Sequence, residues 1–145
     1  MSRNRTCFSS LVVDSDAFLD MSVEARLMYY ALGMQADSWG VITNPRSVAR
    51  AIGVPPASID ELLSNGFVLE FENLDETLLL ITHWWVNNKL DRRSIKQYKS
   101  SYLDSLLTTF MFKRSGNRVY VTNDDTDPLC IEIDEEFRLL AAGQQ

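Results

Sequence analysis

The chain has one histidine, two cysteines and six glycines that never cluster. Each scarcity removes a class of chemistry. With His83 alone, a Ser-His-Asp or Cys-His set, or a catalytic zinc centre with its usual three protein ligands, has almost nothing to be built from. His83 ends an apolar strand beside Trp84 and Trp85, and a structural hydrogen-bonding role is expected for it. Cys7 and Cys130 are far apart, form no CxxC pair and read as reduced thiols. Scattered glycines give no phosphate-cradling loop. Long apolar runs are missing too: Leu78–Ile81 is far short of the roughly 18 residues a membrane span needs. Arg3 and Arg5 are followed by no apolar stretch of the kind a secretory signal carries, so a cytoplasmic protein is expected.

What remains is enough for a folded domain. The 145 residues are 46% hydrophobic and 10% aromatic, sufficient for a core and incompatible with wholesale disorder. The formal charge of −6 is unevenly placed. Residues 1–123 hold 13 cations and 13 anions, whereas residues 124–145 hold only Arg138 against seven acids. Between Lys89 and Arg118 eight cations face only Asp91 and Asp104. A chain divided this way is acidic overall yet offers a local basic segment to an anionic partner.

Local signals order the elements. Asp14-Ser15-Asp16 starts a brief helix through Ala17–Leu19, and Ser22 caps the next. From Val23, the apolar positions Leu27, Tyr30, Ala31 and Met34 repeat at helical spacing as far as about Asp37. A short strand through Val41 and Ile42 follows. Asn44-Pro45 opens a helix that Gly53 closes. Ser58 and Glu61 have the spacing of a capping box and begin another short helix, ended by Asn65-Gly66. Phe67, Leu69 and Phe71 alternate with polar neighbours, Asn73–Glu76 turns the chain, and Thr77–Ile81 returns. Three helices and then a hairpin is the order of a winged helix-turn-helix, an α+β fold. Leu103, Leu106, Leu107 and Phe110 predict a further amphipathic helix. A second hairpin is expected around Ser115-Gly116-Asn117. In the acidic tail Leu129–Ile133 reads as a strand and Phe137–Leu140 as a helix. The expected divisions are a winged-helix domain with its N-terminal arm over 1–88, a basic helix/hairpin extension over 89–123, and the acidic tail 124–145.

The basic segment is the main functional signal. Lys89, Arg92, Arg93, Lys96 and Lys99 can neutralise several phosphates, with Asn87, Asn88, Gln97 and Tyr98 as hydrogen-bonding or stacking neighbours. Arg46 and Arg50, one helical turn apart, and Arg3 and Arg5 on the arm are secondary candidates. The helix from Ser58 to Asn65 would be the recognition helix, yet it carries Asp60 and Glu61. The hairpin tip carries Glu70, Glu72, Asp75 and Glu76. Carboxylates repel phosphate, so neither element suits deep insertion into a DNA groove. Asn123, Asp125 and Asp127 have calcium-loop spacing, but Pro128 stands where that loop needs glycine, and no metal or other cofactor is expected.

Several segments, in order, resemble the N-terminal winged-helix domain of phage replisome organisers, which are related to DnaD-type primosomal proteins. They are Asp14–Asp20, Tyr30–Asp37, Trp39-Gly40-Val41, Asn44-Pro45, Ala51-Ile52-Gly53, Asn65–Val68, Ile81–Trp84 and Asn87-Asn88. The likeness covers about residues 1–100; Trp85 and Lys89 depart from it. It implies a non-enzymatic DNA-binding protein of phage or prophage origin acting in replication initiation. Its partners would be origin or non-specific DNA, host helicase-loading or primosomal proteins, and further copies of itself. Such organisers usually continue into another C-terminal domain, for which this length leaves no room. The other reading is a protein-interaction adaptor or regulator of host replication or transcription proteins.

Overall fold

The structure, a computed structural model, describes residues 6–88, 98, 100–115, 118–122 and 131–132. Serines start its first three helices. Ser9 caps the single turn α1 (Ser10–Val13) by accepting from the Leu11 N–H, and Ser15 caps α2 (Asp16–Leu19) by accepting from Phe18. Ser22 accepts from the Ala25 N–H at 3.1 Å and starts α3 (Val23–Gln35). The spacing of Leu27, Tyr30, Ala31 and Met34 is helical as expected. Yet the core side of α3 is a different set: Ala25, Met28, Tyr29, Leu32 and Gly33.

After α3 the Asp37 carboxylate accepts from the N–H groups of Trp39 and Val41. This loop feeds β1 (Val41–Ile42). Gly40 has φ +84, and a Cβ there would lie 2.7 Å from the Trp84 ring, so only glycine lets the indole pack against the loop. Helix α4 (Pro45–Ile52) has its proline at the first turn and stops at Gly53, φ +76. Helix α5 (Ala57–Ser64) departs from the expected start. Pro56 already has helical φ and ψ and occupies the N-cap, because proline fixes φ near the helical value. Ser58 is therefore inside the helix, buried, and its hydroxyl donates to the Pro55 carbonyl at 2.7 Å. No capping box forms, and Glu61 is free to bond elsewhere.

Strands β2 (Val68–Asn73) and β3 (Glu76–Ile81) pair from Val68↔Ile81 to Asn73↔Glu76, leaving the two-residue turn Leu74-Asp75. β1 adds to the other edge of β3 through Val41↔Leu80, giving the antiparallel order β1-β3-β2. All four residues Leu78–Ile81 are buried, which requires cover on both faces of the sheet. Ile81 reaches toward Gly33 of α3 on one face. On the other, Phe71, paired with Leu78, meets the Phe110 ring edge-on at 5.7 Å.

The chain then forms α6 (Trp84–Asn87), α7 (Leu103–Thr109), β4 (Met111–Ser115), β5 (Arg118–Thr122) and β6 (Ile131–Glu132). These last strands make a second antiparallel sheet, β5-β4-β6. The expected helix and hairpin of the extension are thus present, and the expected tail strand is present over two residues; the tail helix Phe137–Leu140 lies outside the described residues. Trp39 joins the two parts of the core. Its indole N–H donates to the Tyr98 carbonyl at 2.8 Å, and its ring meets Trp85 and Phe112 edge-on. Among the described residues no helix is long and apolar enough to cross a membrane.

Candidate nucleic-acid interface

Helix α4 positions the described cations of the candidate set. Ala49 points into the core while Arg46 and Arg50, one turn apart, are exposed on the outward face. Arg46 also borders a cleft of about 390 Å³ between α4, α5 and the hairpin, shared with Asp60, Glu70 and Leu79. The two carboxylates dilute the positive potential there. Arg3, Arg5, Lys89, Arg92, Arg93, Lys96 and Lys99 lie outside the described residues, as do Gln97 and the calcium-like spacing Asn123, Asp125 and Asp127.

The neighbours expected to help bind nucleic acid are committed inside the protein. The Asn87 side chain is buried; it accepts from the Ser9 N–H at 2.9 Å and donates to the Tyr29 hydroxyl at 2.7 Å. Asn88 accepts from the Cys7 N–H at 3.0 Å. Together they tie the N-terminal arm to α3 and α6. Burial pushes the Tyr29 hydroxyl up to about 12, against the opposing pull of the Asn87 bond. Tyr98 stacks at a tilt on Trp85, ring centroids 5.2 Å apart. Asn87 and Asn88 therefore brace the fold by pairing backbone N–H groups of the N-terminal arm, and Tyr98 does so through its ring and its backbone carbonyl.

The acids divide into two kinds. Glu61 turns back across the domain and accepts from both the N–H and the hydroxyl of Ser22. Those two bonds hold its carboxyl below the usual carboxylate range. Asp60 stays exposed on α5, and Glu70, Glu72, Asp75 and Glu76 are exposed along the hairpin. Between them Leu74 is 93% exposed with φ +55, a backbone region that a leucine rarely adopts. Sequence reasoning missed this residue; the hairpin register, which makes it the first of two turn residues, is the signal that places it.

His83 is half-buried, its ring 5.6 Å from Phe67, and burial lowers its pKa. Its Nδ1 has no hydrogen-bond partner among the described residues, so the expected strand-end bonding role does not extend to that nitrogen. Among the described residues no three His, Cys, Asp or Glu side chains gather where a metal ion could be held. No family model, curated protein or solved structure matches this chain.

Proposed function

We propose that the protein is a non-enzymatic, winged-helix DNA-binding protein acting in phage or prophage replication initiation, in the manner of the replisome organisers it resembles. The observation that carries this is the order of parts: α3, α4 and α5 followed by the β2–β3 hairpin, with β1 completing the sheet. Arg46 and Arg50 are exposed on α4 of that assembly. Phosphate contact would come from the segment Lys89–Lys99 together with these two arginines. Base reading by α5 is not part of the proposal, since its exposed side chains offer Asp60 and no cation. Binding of this kind is dominated by counterion release and depends weakly on sequence.

The test is fluorescence anisotropy on labelled duplex and single-stranded DNA across a salt series. Affinity should fall steeply with salt. Arg92→Ala with Arg93→Ala and Lys96→Ala should lower the slope of log K against log salt by about 2–3, and Arg46→Ala with Arg50→Ala by about 2, if each residue neutralises one phosphate. No binding to either DNA form at low salt would overturn the reading. It would promote the second, a protein-interaction adaptor for replication or transcription proteins. That alternative is favoured by one specific observation: an acidic hairpin that ends in the exposed Leu74.

A further inference from the structure

A groove of about 600 Å³ opens between α3 and α4, with Ile42 of β1 among its lining residues. That volume is in the range of small-ligand sites. Met34, 61% exposed, lines it from α3, and the half-buried Val48 and Ile52 line it from α4. Four polar side chains share the groove: Gln35, Thr43, Asn44 and Ser47. Among the described residues none of these four side chains is engaged in a hydrogen bond. Asn44 occupies the N-cap of α4 yet does not cap it. An N-cap asparagine ordinarily accepts from the first turn of its helix, so this carboxamide is left open to a ligand. No ionisable side chain lines the groove among the described residues. Arg50 is exposed three residues after Ser47, its neighbour on the surface of α4.

We propose that this groove binds an unpaired nucleobase, with Arg50 taking the phosphate of the same nucleotide. Burying an ionised group without a charged partner is costly, so the part of the ligand that enters is uncharged. A plain hydrocarbon would leave the open polar side chains unpaired. The carboxamides of Asn44 and Gln35 instead match the adjacent donor and acceptor on a base edge. The aliphatic side chains suit the apolar faces of a planar ring, and the Met34 thioether adds a favourable sulfur–aromatic contact. Arg50 completes the pattern: an uncharged ring inside the groove and an anion beside it is the charge distribution of a nucleotide. A duplex hides both the faces and the pairing edges of its bases, so this site selects single strands or free nucleotides. It goes beyond the phosphate binding proposed above and does not depend on it.

Methyl NMR spectra of the full chain titrated with thymidine and adenosine test this. Ring currents should shift the methyl signals of Met34, Val48 and Ile52 and leave those of Leu103 and Leu106 in α7 unmoved. Ala51→Phe fills the groove from an exposed position on α4 and should abolish the shifts, with circular dichroism checking the fold. Asn44→Ser keeps a neutral N-cap residue and should weaken nucleoside binding at unchanged stability. Arg50→Ala should weaken thymidine monophosphate several-fold and leave thymidine unaffected. Anisotropy then separates the two sources of the base. A short oligothymidylate should bind more tightly than the monophosphate, and at least about tenfold more tightly than the same backbone without bases; equal affinity for strand and monophosphate would make the free nucleotide the source. Methyl signals unmoved by nucleosides at about 10 mM, shifts that survive Ala51→Phe, or a baseless strand bound as tightly as oligothymidylate would each overturn the proposal. Duplex binding alongside any of those results leaves the DNA reading standing without it. Nucleoside shifts in a chain that binds no DNA leave the base site standing alone.

Discussion

Glu61 on α5 and Ser22 at the start of α3 are joined by two hydrogen bonds, both 2.7 Å, from the Ser22 N–H and hydroxyl to the two carboxylate oxygens. The same hydroxyl accepts from Ala25 and caps α3. One carboxylate therefore orients the cap of one helix from the flank of another. It also leaves Glu61 out of the outward face of α5.

Two substitutions separate these roles. Glu61→Gln should lower the melting temperature, because it weakens the cap contact, and should leave DNA affinity unchanged. Asp60→Asn, one residue earlier and exposed, should leave the melting temperature nearly unchanged and raise DNA affinity at low salt. The Glu61 contribution is also acid-sensitive. Its folded-state pKa is depressed by the Ser22 bonds, so the stabilisation is present above the unfolded pKa and is lost as pH falls through the folded value. A rise in DNA affinity for Glu61→Gln would show that its carboxylate faces the phosphates after all.

Asn87 is the second such tie. Asn87→Ala removes the acceptor for Ser9 and the donor to Tyr29, leaving buried polar groups unpaired. The expected cost is about 1–3 kcal/mol, read from the urea midpoint at an unchanged m value. DNA affinity of the folded variant should match the parent's. A drop in affinity at full stability would restore Asn87 to the binding surface.

His83 sets the behaviour just below neutral pH. Burial lowers its folded-state pKa below the ordinary value of about 6.5. Between the two values the unfolded chain binds more protons, so stability rises with pH there and is complete above about 6.5. Acidification from pH 7 to about 5.5 should lower the melting temperature, in a window where ordinary carboxylates remain ionised. As the chain's only histidine, His83 is the sole ordinary side chain titrating there. His83→Gln should flatten the melting temperature across that window; an unchanged pH profile would show that the ring is not desolvated.

Much of the architecture was legible because it is written in short-range chemistry. Ser22, Pro45, Gly53 and the alternation around Phe71 each act on their immediate neighbours, and the elements they predict are present. Failures came where a long-range contact overrides the local pattern. Ser58 and Glu61 have capping-box spacing, but Pro56 starts the helix first and Glu61 bonds 39 residues away. The four buried residues Leu78–Ile81 are a continuous run, not an alternation, because α7 and its neighbours cover the second face of the sheet. Periodicity identified α3 as a helix without saying which of its two apolar sides faces inward. The candidate site suffered similarly: Asn87 and Asn88 look like nucleic-acid ligands in sequence, and only the fold shows them holding the N-terminal arm.

Leu74 offers the sharpest separation of stability from binding. At φ +55 its side chain costs about 1–2 kcal/mol relative to an ordinary backbone conformation, and at 93% exposure it returns almost nothing by packing. Asparagine tolerates this conformation, so Leu74→Asn should stabilise the protein by about 1 kcal/mol, a rise of roughly 3–5 °C in melting temperature. Leu74→Gly removes the same steric cost but gives back about 0.5–1 kcal/mol in chain entropy, so its gain should be smaller. The order Asn above Gly above Leu in thermal melts is the expected result. The same variants then report on the hairpin tip. If DNA is the partner, removing an apolar side chain among acids should leave affinity unchanged. If the adaptor reading holds, the stabilised Leu74→Asn protein should lose its protein partner while remaining better folded than its parent.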